Sequence, residues 1–338
     1  MKGIINEFML KDKIIRLLED NRGNCLSGEK IAEMLGVSRT AIWKNIKSLK
    51  EEGFNIETVP GKGYTLAKDN NTISKEGISL DLNADITLDL YDSLDSTNTT
   101  AIQLIGQGVV NKTLVVANTQ LKGKGRLGRT FYSPKDTGVY MSMILNANMS
   151  VDKSILITSA AGVAATRGIK ETTGIDTKIK WVNDIYIGDK KIGGILTEAV
   201  TDFESGSISH IIVGIGINCS TKNFLSFDSQ LANKAGAITS ESDAEYVNRN
   251  QLIASIANNL IELYEEIQHD DFSFMDEYKE KSYVLGKEIN LYRTPMTDMS
   301  NVVPATVVDI TDRAGLVIQL EDGTLETITT GEVSVRLR

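Results

Sequence analysis

Apolar residues recur at helical spacing near the start of the chain: Ile14, Leu17 and Leu18 share one face of a segment from Lys13, and Ile31, Met34 and Leu35 share a second behind Ser27. Ser27 has the small hydroxyl side chain that caps a helix, Gly36 suits its end, and Ser38 opens a third helix with Ile42, Ile46 and Leu49 inward. Two helices joined by so tight a Gly-Val-Ser turn predict a helix-turn-helix. Period-two alternation follows across residues 54–67 around Pro60-Gly61-Lys62-Gly63, the pattern of a hairpin wing with a lysine at its tip. Residues 68–84 are polar with little periodicity and read as a linker holding a short helix from Ser74.

Beyond the linker, strands and helices alternate. Asp95, Ser96 and Thr97 offer caps for a helix ending near Gly106, residues 113–120 and 138–146 read as strands, and 154–174 is a long helix whose small residues permit close packing. Residues 177–200 read as strand, strand, a turn at Gly188-Asp189, and strand, followed by one more strand at 208–220. The hairpin forces antiparallel pairing, so this part is an α/β (α+β) domain on a mixed sheet. A helical segment at 248–283, strongly amphipathic over 251–267, precedes short alternating runs from Lys287 that suggest a small β-barrel. The expected organisation is a winged helix-turn-helix at 1–66, a linker at 67–84, an α/β domain at 85–284 and a C-terminal small β-barrel at 285–338.

Charge sharpens the reading of the first domain. The net charge of −9 argues against a chain coated for nucleic acid, yet residues 1–50 hold ten Lys and Arg against six Asp and Glu. Ser38, Arg39, Thr40, Lys44, Lys47 and Lys50 belong to the third helix and its start, with Arg39 and Thr40 in the turn that meets base edges when such a helix enters the major groove. Lys62 sits at the wing tip, and Trp43 either stacks on this face or completes the core. The head is therefore expected to bind DNA. Cys25 and Cys219 fall in different domains, which argues for a reducing compartment, and His210 and His269 are too far apart in sequence for a local metal motif. The first residues lack the apolar run of a signal peptide, and no stretch approaches a membrane span of ~20 apolar residues. The expected location is the cytoplasm, away from the membrane.

Candidate chemistry concentrates in residues 120–134, QLKGKGRLGRTFYSP. Lys122, Lys124, Arg126 and Arg129 alternate with hinge glycines and no acidic residue, as suits a flap that closes over an anion and stays open and mobile before one arrives. Gly123, Gly125 and Gly128 spell GxGxxG, and GKGRLGRT is one residue from a P-loop, but both motifs require a helix directly after the loop. The β-branched and aromatic residues that follow, then Ser133-Pro134, disfavour one.

Five ordered motifs, DSTN, QLKGKGRLGR, KWVND, KKIGGIL and VGIGIN, stand behind the winged head, and together they resemble the bifunctional biotin protein ligases and biotin-operon repressors of bacteria, the BirA type. The similarity covers the whole chain, with Lys124 in place of the family's usual first loop arginine and Val182 in place of the proline of KWPND. It implies that biotin and ATP form biotinyl-5′-AMP with loss of pyrophosphate, and that the mixed anhydride acylates a lysine on the biotin carboxyl carrier protein of acetyl-CoA carboxylase. The substrate carboxylate is already a nucleophile, so no serine, cysteine or histidine is required. The step needs charge control, from lysines, arginines and Mg2+ on the phosphates.

By the same resemblance Lys180 and Arg126 are the catalytic candidates, the Lys180 ammonium touching both the carboxylate and the α-phosphate. Biotin falls to Ser96, Thr97, Asn98, Gln120, Gly123, Lys124, Gly125, Arg126, Tyr140, Lys180, Gly214 and Gly216, and ATP or the adenylate to Arg126, Arg129, Lys180, Asn183 and Asn218. Asn183 and Asp184 orient either a metal ion or the incoming lysine amine. A homodimer is implied that binds palindromic operator DNA when loaded with the adenylate. Two rival readings are a lipoate protein ligase and a biotin-sensing repressor without catalysis; the head, loop sequence and tail favour biotin, and Lys180 with Arg126 favours catalysis.

Overall fold

Ser27 accepts a hydrogen bond from the Lys30 backbone N–H at 3.0 Å and so caps α2 (Gly28–Leu35), while Ser38 caps α3 (Arg39–Glu51) through the Ala41 N–H. Gly36 between them takes φ 66°, the left-handed value that glycine reaches without strain. These helices pack with α1 (Lys2–Asp20) and the hairpin β1 (Ile56–Val59) and β2 (Gly63–Leu66) around a core that includes Ile14, Leu18, Ile31, Ile42, Ile46 and Leu49. The computed structural model describes residues 2–83, 85–109, 111–147, 151–201, 207–221, 235–239, 246–293, 302–329 and 333–337. Helix α1 starts at Lys2 rather than Lys13, since residues 4–12 contain no glycine or proline to halt propagation. Met34, expected inward, is 56 % exposed, because the short α2 spends its buried face on Ile31 and Ala32. Trp43 lies on the outer face of α3, 55 % exposed.

The linker is packed rather than slack. Ser74 caps α4 (Lys75–Ser79), whose Ile78 joins Ile73 in the main core, and the Asn250 side chain accepts from the Ser74 N–H at 3.0 Å. Arg22 binds Glu19 Oε2 at 2.6 Å and the Asn70 carbonyl at 3.0 Å, tying α1 to the linker. Burial raises the Glu19 pKa, Arg22 opposes this, and Asp20 and Asp81 add to the rise. A carboxyl group whose folded pKa is raised favours the folded state below its unfolded pKa and loses that contribution as pH rises through the folded value. Urea midpoints should accordingly carry a component that falls from ordinary carboxylate pH toward neutrality, and Glu19→Gln should abolish that component; an identical slope in the variant would clear Glu19 of the effect. Ala84, the expected last linker residue, lies outside the described residues.

The middle domain is built on a seven-stranded sheet in the order β3-β4-β5-β9-β8-β7-β6: β3 (Thr87–Leu94), β4 (Thr113–Gln120), β5 (Gly138–Asn146), β6 (Lys178–Lys180), β7 (Asp184–Ile187), β8 (Lys190–Thr201) and β9 (Ile208–Asn218). Among the described strands of this sheet only β3 and β4 pair in parallel, joined through α5 (Thr97–Gly106). Strand β3 has no counterpart among the sequence expectations: as an edge strand it fully buries only Leu88, so Asp89, Asp92 and Ser93 break the apolar pattern. One sheet face, with Leu114, Val116, Met141 and Met143, packs on α6 (Val151–Thr173) and α7 (Arg249–Gln268). The other face, with Val115, Ile144 and Ile212, packs on Ala101 of α5. A Cβ at Gly168 would lie 2.6 Å from Ile256 Cγ1, so this glycine sets the close approach of α6 to α7.

After α8 (Phe274–Glu280), strands β10 (Glu288–Arg293), β11 (Val302–Ile310), β12 (Leu316–Leu320), β13 (Leu325–Ile328) and β14 (Val333–Leu337) form an antiparallel sheet in the order β13-β12-β11-β10-β14. Arg338, expected at the end of the last strand, lies outside the described residues. This domain is fastened to the middle one by the Trp181 indole N–H, which donates to the Ala314 carbonyl at 2.9 Å. No helix among the described residues is long and apolar enough to cross a membrane.

Candidate active site

A cavity of about 640 Å³ opens on the α5 face of the seven-stranded sheet. Gly214 and Gly216 of β9 form part of its floor, and both are needed small. A Cβ at Gly214 would sit 2.2 Å from Asn98 Oδ1, and one at Gly216 would sit 2.6 Å from the Phe131 ring. At the start of α5, Ser96, Thr97 and Asn98 face the cavity beside Gln120 from the end of β4.

These neutral polar groups hold one another in fixed orientation. Gln120 Oε1 accepts from the Thr97 backbone N–H at 2.8 Å, and its Nε2 donates to Ser133 Oγ at 2.8 Å. Asn98 Nδ2 donates to Glu198 Oε2 at 2.7 Å, and its Oδ1 accepts from Ser142 Oγ at 2.6 Å. An amide fixed at both ends presents a defined pattern of donors and acceptors to an uncharged polar ligand.

The loop over the cavity is a hydrogen-bonded hairpin that turns at residues 126–128, where Leu127 takes φ 57°, not an open flap. Gly125 N–H donates to the Arg129 carbonyl at 2.7 Å and Phe131 N–H to the Gly123 carbonyl at 2.8 Å, and these bonds order it despite its charge. The Arg126 guanidinium spans to Asn183 Oδ1 at 3.0 Å, and burial lowers its pKa while Asp184 opposes the change. Of the four loop cations, Lys124, Arg126 and Arg129 line the cavity; Lys122 turns away to pair with Asp95 at 2.8 Å.

From the far side of the sheet come Lys180, Asn183, Asp184 and Tyr186 on and between β6 and β7, and Lys191 on β8. Lys191 Nζ pairs with Asp184 Oδ1 at 2.6 Å. Among the described residues five cationic side chains, Lys124, Arg126, Arg129, Lys180 and Lys191, thus face one wall carboxylate, Asp184. So lopsided a charge balance suits a polyanionic ligand. Among the described residues no group of three or more His, Cys, Asp or Glu could hold a metal ion by itself.

Three candidates do not reach the cavity wall. Tyr140 is 1 % exposed, its hydroxyl donates to the Pro134 carbonyl at 3.0 Å, and burial pushes its pKa up. The Asn218 amide donates to the Gly236 carbonyl at 3.0 Å, beyond the end of the cavity. Gly123 is buried in the hairpin stem, where a Cβ would lie 2.3 Å from the Phe131 carbonyl oxygen. These residues support the flap and the strand ends.

Phe131, Tyr186, Lys191, Ser142 and Glu198 escaped the sequence reading. Lys190 and Lys191 are adjacent on a strand, so alternation alone places one of them on the cavity face. Ser142 is a hydroxyl inside an apolar strand run, the usual sign of a specific buried partner. Glu198 and Tyr186 gave no such signal, because their partners lie on other elements.

At the head, Ser38, Arg39, Thr40, Lys44, Lys47 and Lys62 are all exposed. Lys50, also exposed, leans on Thr58 of the wing at 2.9 Å.

Comparison with known proteins assigns all three parts. Residues 11–65 match an HTH domain, residues 90–218 the Biotin/lipoate A/B protein ligase family, and residues 284–336 the Biotin protein ligase C terminal domain. A bifunctional ligase/repressor BirA of Bacillus subtilis (strain 168) is 41% identical over 212 residues, 62% of this chain and 65% of that protein. The bifunctional ligase/repressor BirA of Bacillus spizizenii is 32% identical over 317 residues, 93% of this chain and 95% of its own length. Among solved structures, the biotin protein ligase from Aquifex aeolicus in complex with biotin and ATP superimposes with a TM-score of 0.62 at 26% identity, over 75% of this chain and 99% of that one.

Proposed function

Because this chain belongs to the family of bifunctional biotin protein ligases and repressors, we propose that it activates biotin with ATP to biotinyl-5′-AMP, transfers biotin to a lysine of a biotin carboxyl carrier protein, and represses transcription through its winged head. The observation that carries the reading is the convergence of five cations on one cavity whose other end is fixed, neutral and polar. The uncharged ureido group of biotin suits Thr97, Asn98 and Gln120, and the carboxylate and triphosphate suit the cations. Lys180 and Arg126 neutralise the carboxylate and the α-phosphate as oxygen attacks phosphorus and pyrophosphate leaves. Ser96, Gly214 and Gly216 shape the biotin end, and Arg129, Lys191 and Asn183 the nucleotide end.

Mg2+ commonly binds through one or two carboxylates together with substrate phosphates. Among the described residues Asp184 is the single wall carboxylate, and with Lys191 displaced from it this residue would hold the ion, ATP providing the remaining oxygens. The ion, when bound, offsets phosphate charge.

Gly214→Ala should raise the KM for biotin about five- to a hundredfold with kcat less affected, since overpacking against a pinned amide costs ~1 to 3 kcal/mol. An unchanged KM would move biotin away from Asn98.

Incubation with ATP, a carrier protein and either biotin or lipoate tests the whole reading. Biotinylated carrier lysine is expected; lipoylation would transfer the chain to the rival ligase chemistry, and no modification with either would leave only ligand sensing. We further propose that the protein works in the cytoplasm, consistent with its free Cys25 and Cys219, and that adenylate loading promotes a homodimer whose two heads grip a palindromic operator through Arg39, Thr40, Lys44, Lys47 and Lys62.

A further inference from the structure

Lys180 pairs across the β6–β7 hairpin with Asp184, which puts Tyr186, two residues further on, at the diagonal position on the same face. The Lys180 ammonium stands 5.6 Å from the centroid of the Tyr186 ring, within the ~6 Å over which a ring face attracts a cation. Tyr186 also lines the cavity. The ring is held in place by Tyr283, which stacks with it at 4.8 Å between centroids and 18° between planes. Tyr283 is buried, its hydroxyl donates to Asp189 Oδ1 at 2.7 Å, and the Lys287 ammonium lies 3.9 Å from its ring centroid.

A lysine on a strand carries a long flexible stem, and ordering it costs rotamer entropy. A carboxylate could order it, but would also cancel the charge that the reaction needs; Asp184, its partner across the hairpin, is bound to Lys191 at 2.6 Å. An aromatic face attracts the ammonium through its quadrupole without removing charge or occupying all three N–H donors. We propose that Tyr186, backed by Tyr283, is a positioning residue that holds the Lys180 ammonium toward the reacting carboxylate and phosphate. The two tyrosines also link Lys180 to Lys287 at the threshold of the C-terminal strands. The inference rests on the reading that Lys180 serves adenylate formation.

The test is a double-mutant cycle on the full-length chain, read as kcat and KM in biotin-dependent exchange of pyrophosphate into ATP. Tyr186→Leu should lower kcat about three- to thirtyfold with little change in the KM for biotin. Tyr186→Phe, which keeps the ring face, should restore most of the rate. In a Lys180→Ala background Tyr186→Leu should have almost no further effect. Phenylalanines bearing one, two and three ring fluorines at position 186 preserve shape while weakening the quadrupole, so kcat should fall stepwise along the series; this arm holds even if the leucine variant folds poorly. Equal losses from Tyr186→Leu with and without Lys180, or a flat fluorine series, would overturn the positioning role alone. A wild-type rate in Lys180→Ala would overturn the assignment of Lys180 and this inference together.

Discussion

Lys180→Ala slows biotin-dependent exchange of pyrophosphate into ATP by roughly tenfold to a few hundredfold while the protein remains folded. The side chain enters the cavity from the short edge strand β6, with Asn183 and Asp184 next along the chain and Arg126 reaching Asn183 from the flap. Two anions must meet there, and their repulsion is the barrier that fixed cations reduce most. A charged hydrogen bond removed from such a site costs about 1.5 to 3 kcal/mol, which corresponds to the stated range of rates. Folding should survive, because Lys180 is only part-buried while its neighbours Ile179 and Trp181 carry the packing. If the exchange rate stays at the wild-type value, charge neutralisation belongs to Arg126 and Lys191 and the central role of Lys180 is lost.

Elements that bury one clear face are legible in the sequence. The capping serines Ser27, Ser38 and Ser74 mark three helix starts, and Gly36 marks a helix end, because a cap is a local interaction between residues three apart. Strand β3 was not legible, since an edge strand alternates weakly, and Met34 was misplaced because periodicity cannot say where a short helix stops being covered. In the site, motif letters identified which loops converge but not which atoms point inward. Lys122 and Lys124 look alike in sequence, yet only Lys124 lines the cavity while Lys122 is drawn outward by Asp95. Tyr140 and Asn218 lie in strands that also supply Met141 and Gly216 to the wall, and their own polar atoms are committed elsewhere. Glu198 enters only through Asn98, a partner 100 residues away. Such long-range pairings leave no periodic trace in the chain.

The largest effect on stability is expected at Arg249. Its side chain is 1 % exposed, and its guanidinium donates to Asn71 Oδ1 at 2.7 Å, Asn118 Oδ1 at 3.0 Å, the Gly138 carbonyl at 3.1 Å and Asp136 Oδ1 at 3.2 Å, with a further bond to the Asn71 carbonyl. One planar fork therefore fastens the linker, the C-terminal end of β4 and the segment that leads from the flap into β5. Arginine alone supplies five donors in that geometry, so Arg249→Lys is a damaging change and Arg249→Met a severe one. Methionine preserves much of the volume but leaves the buried acceptors of Asn118 and Gly138 without donors, at a cost of about 1 to 3 kcal/mol each, while the half-exposed Asp136 carboxylate turns to solvent. Urea unfolding should show the Met variant destabilised by the two costs together and the Lys variant by less. Because Asn71 precedes α4, the Met variant should also be cut faster by protease between residues 68 and 74. Equal midpoints and equal cleavage for wild type and Arg249→Met would mean that the apolar contacts of Ile73 and Ile78 hold the linker by themselves.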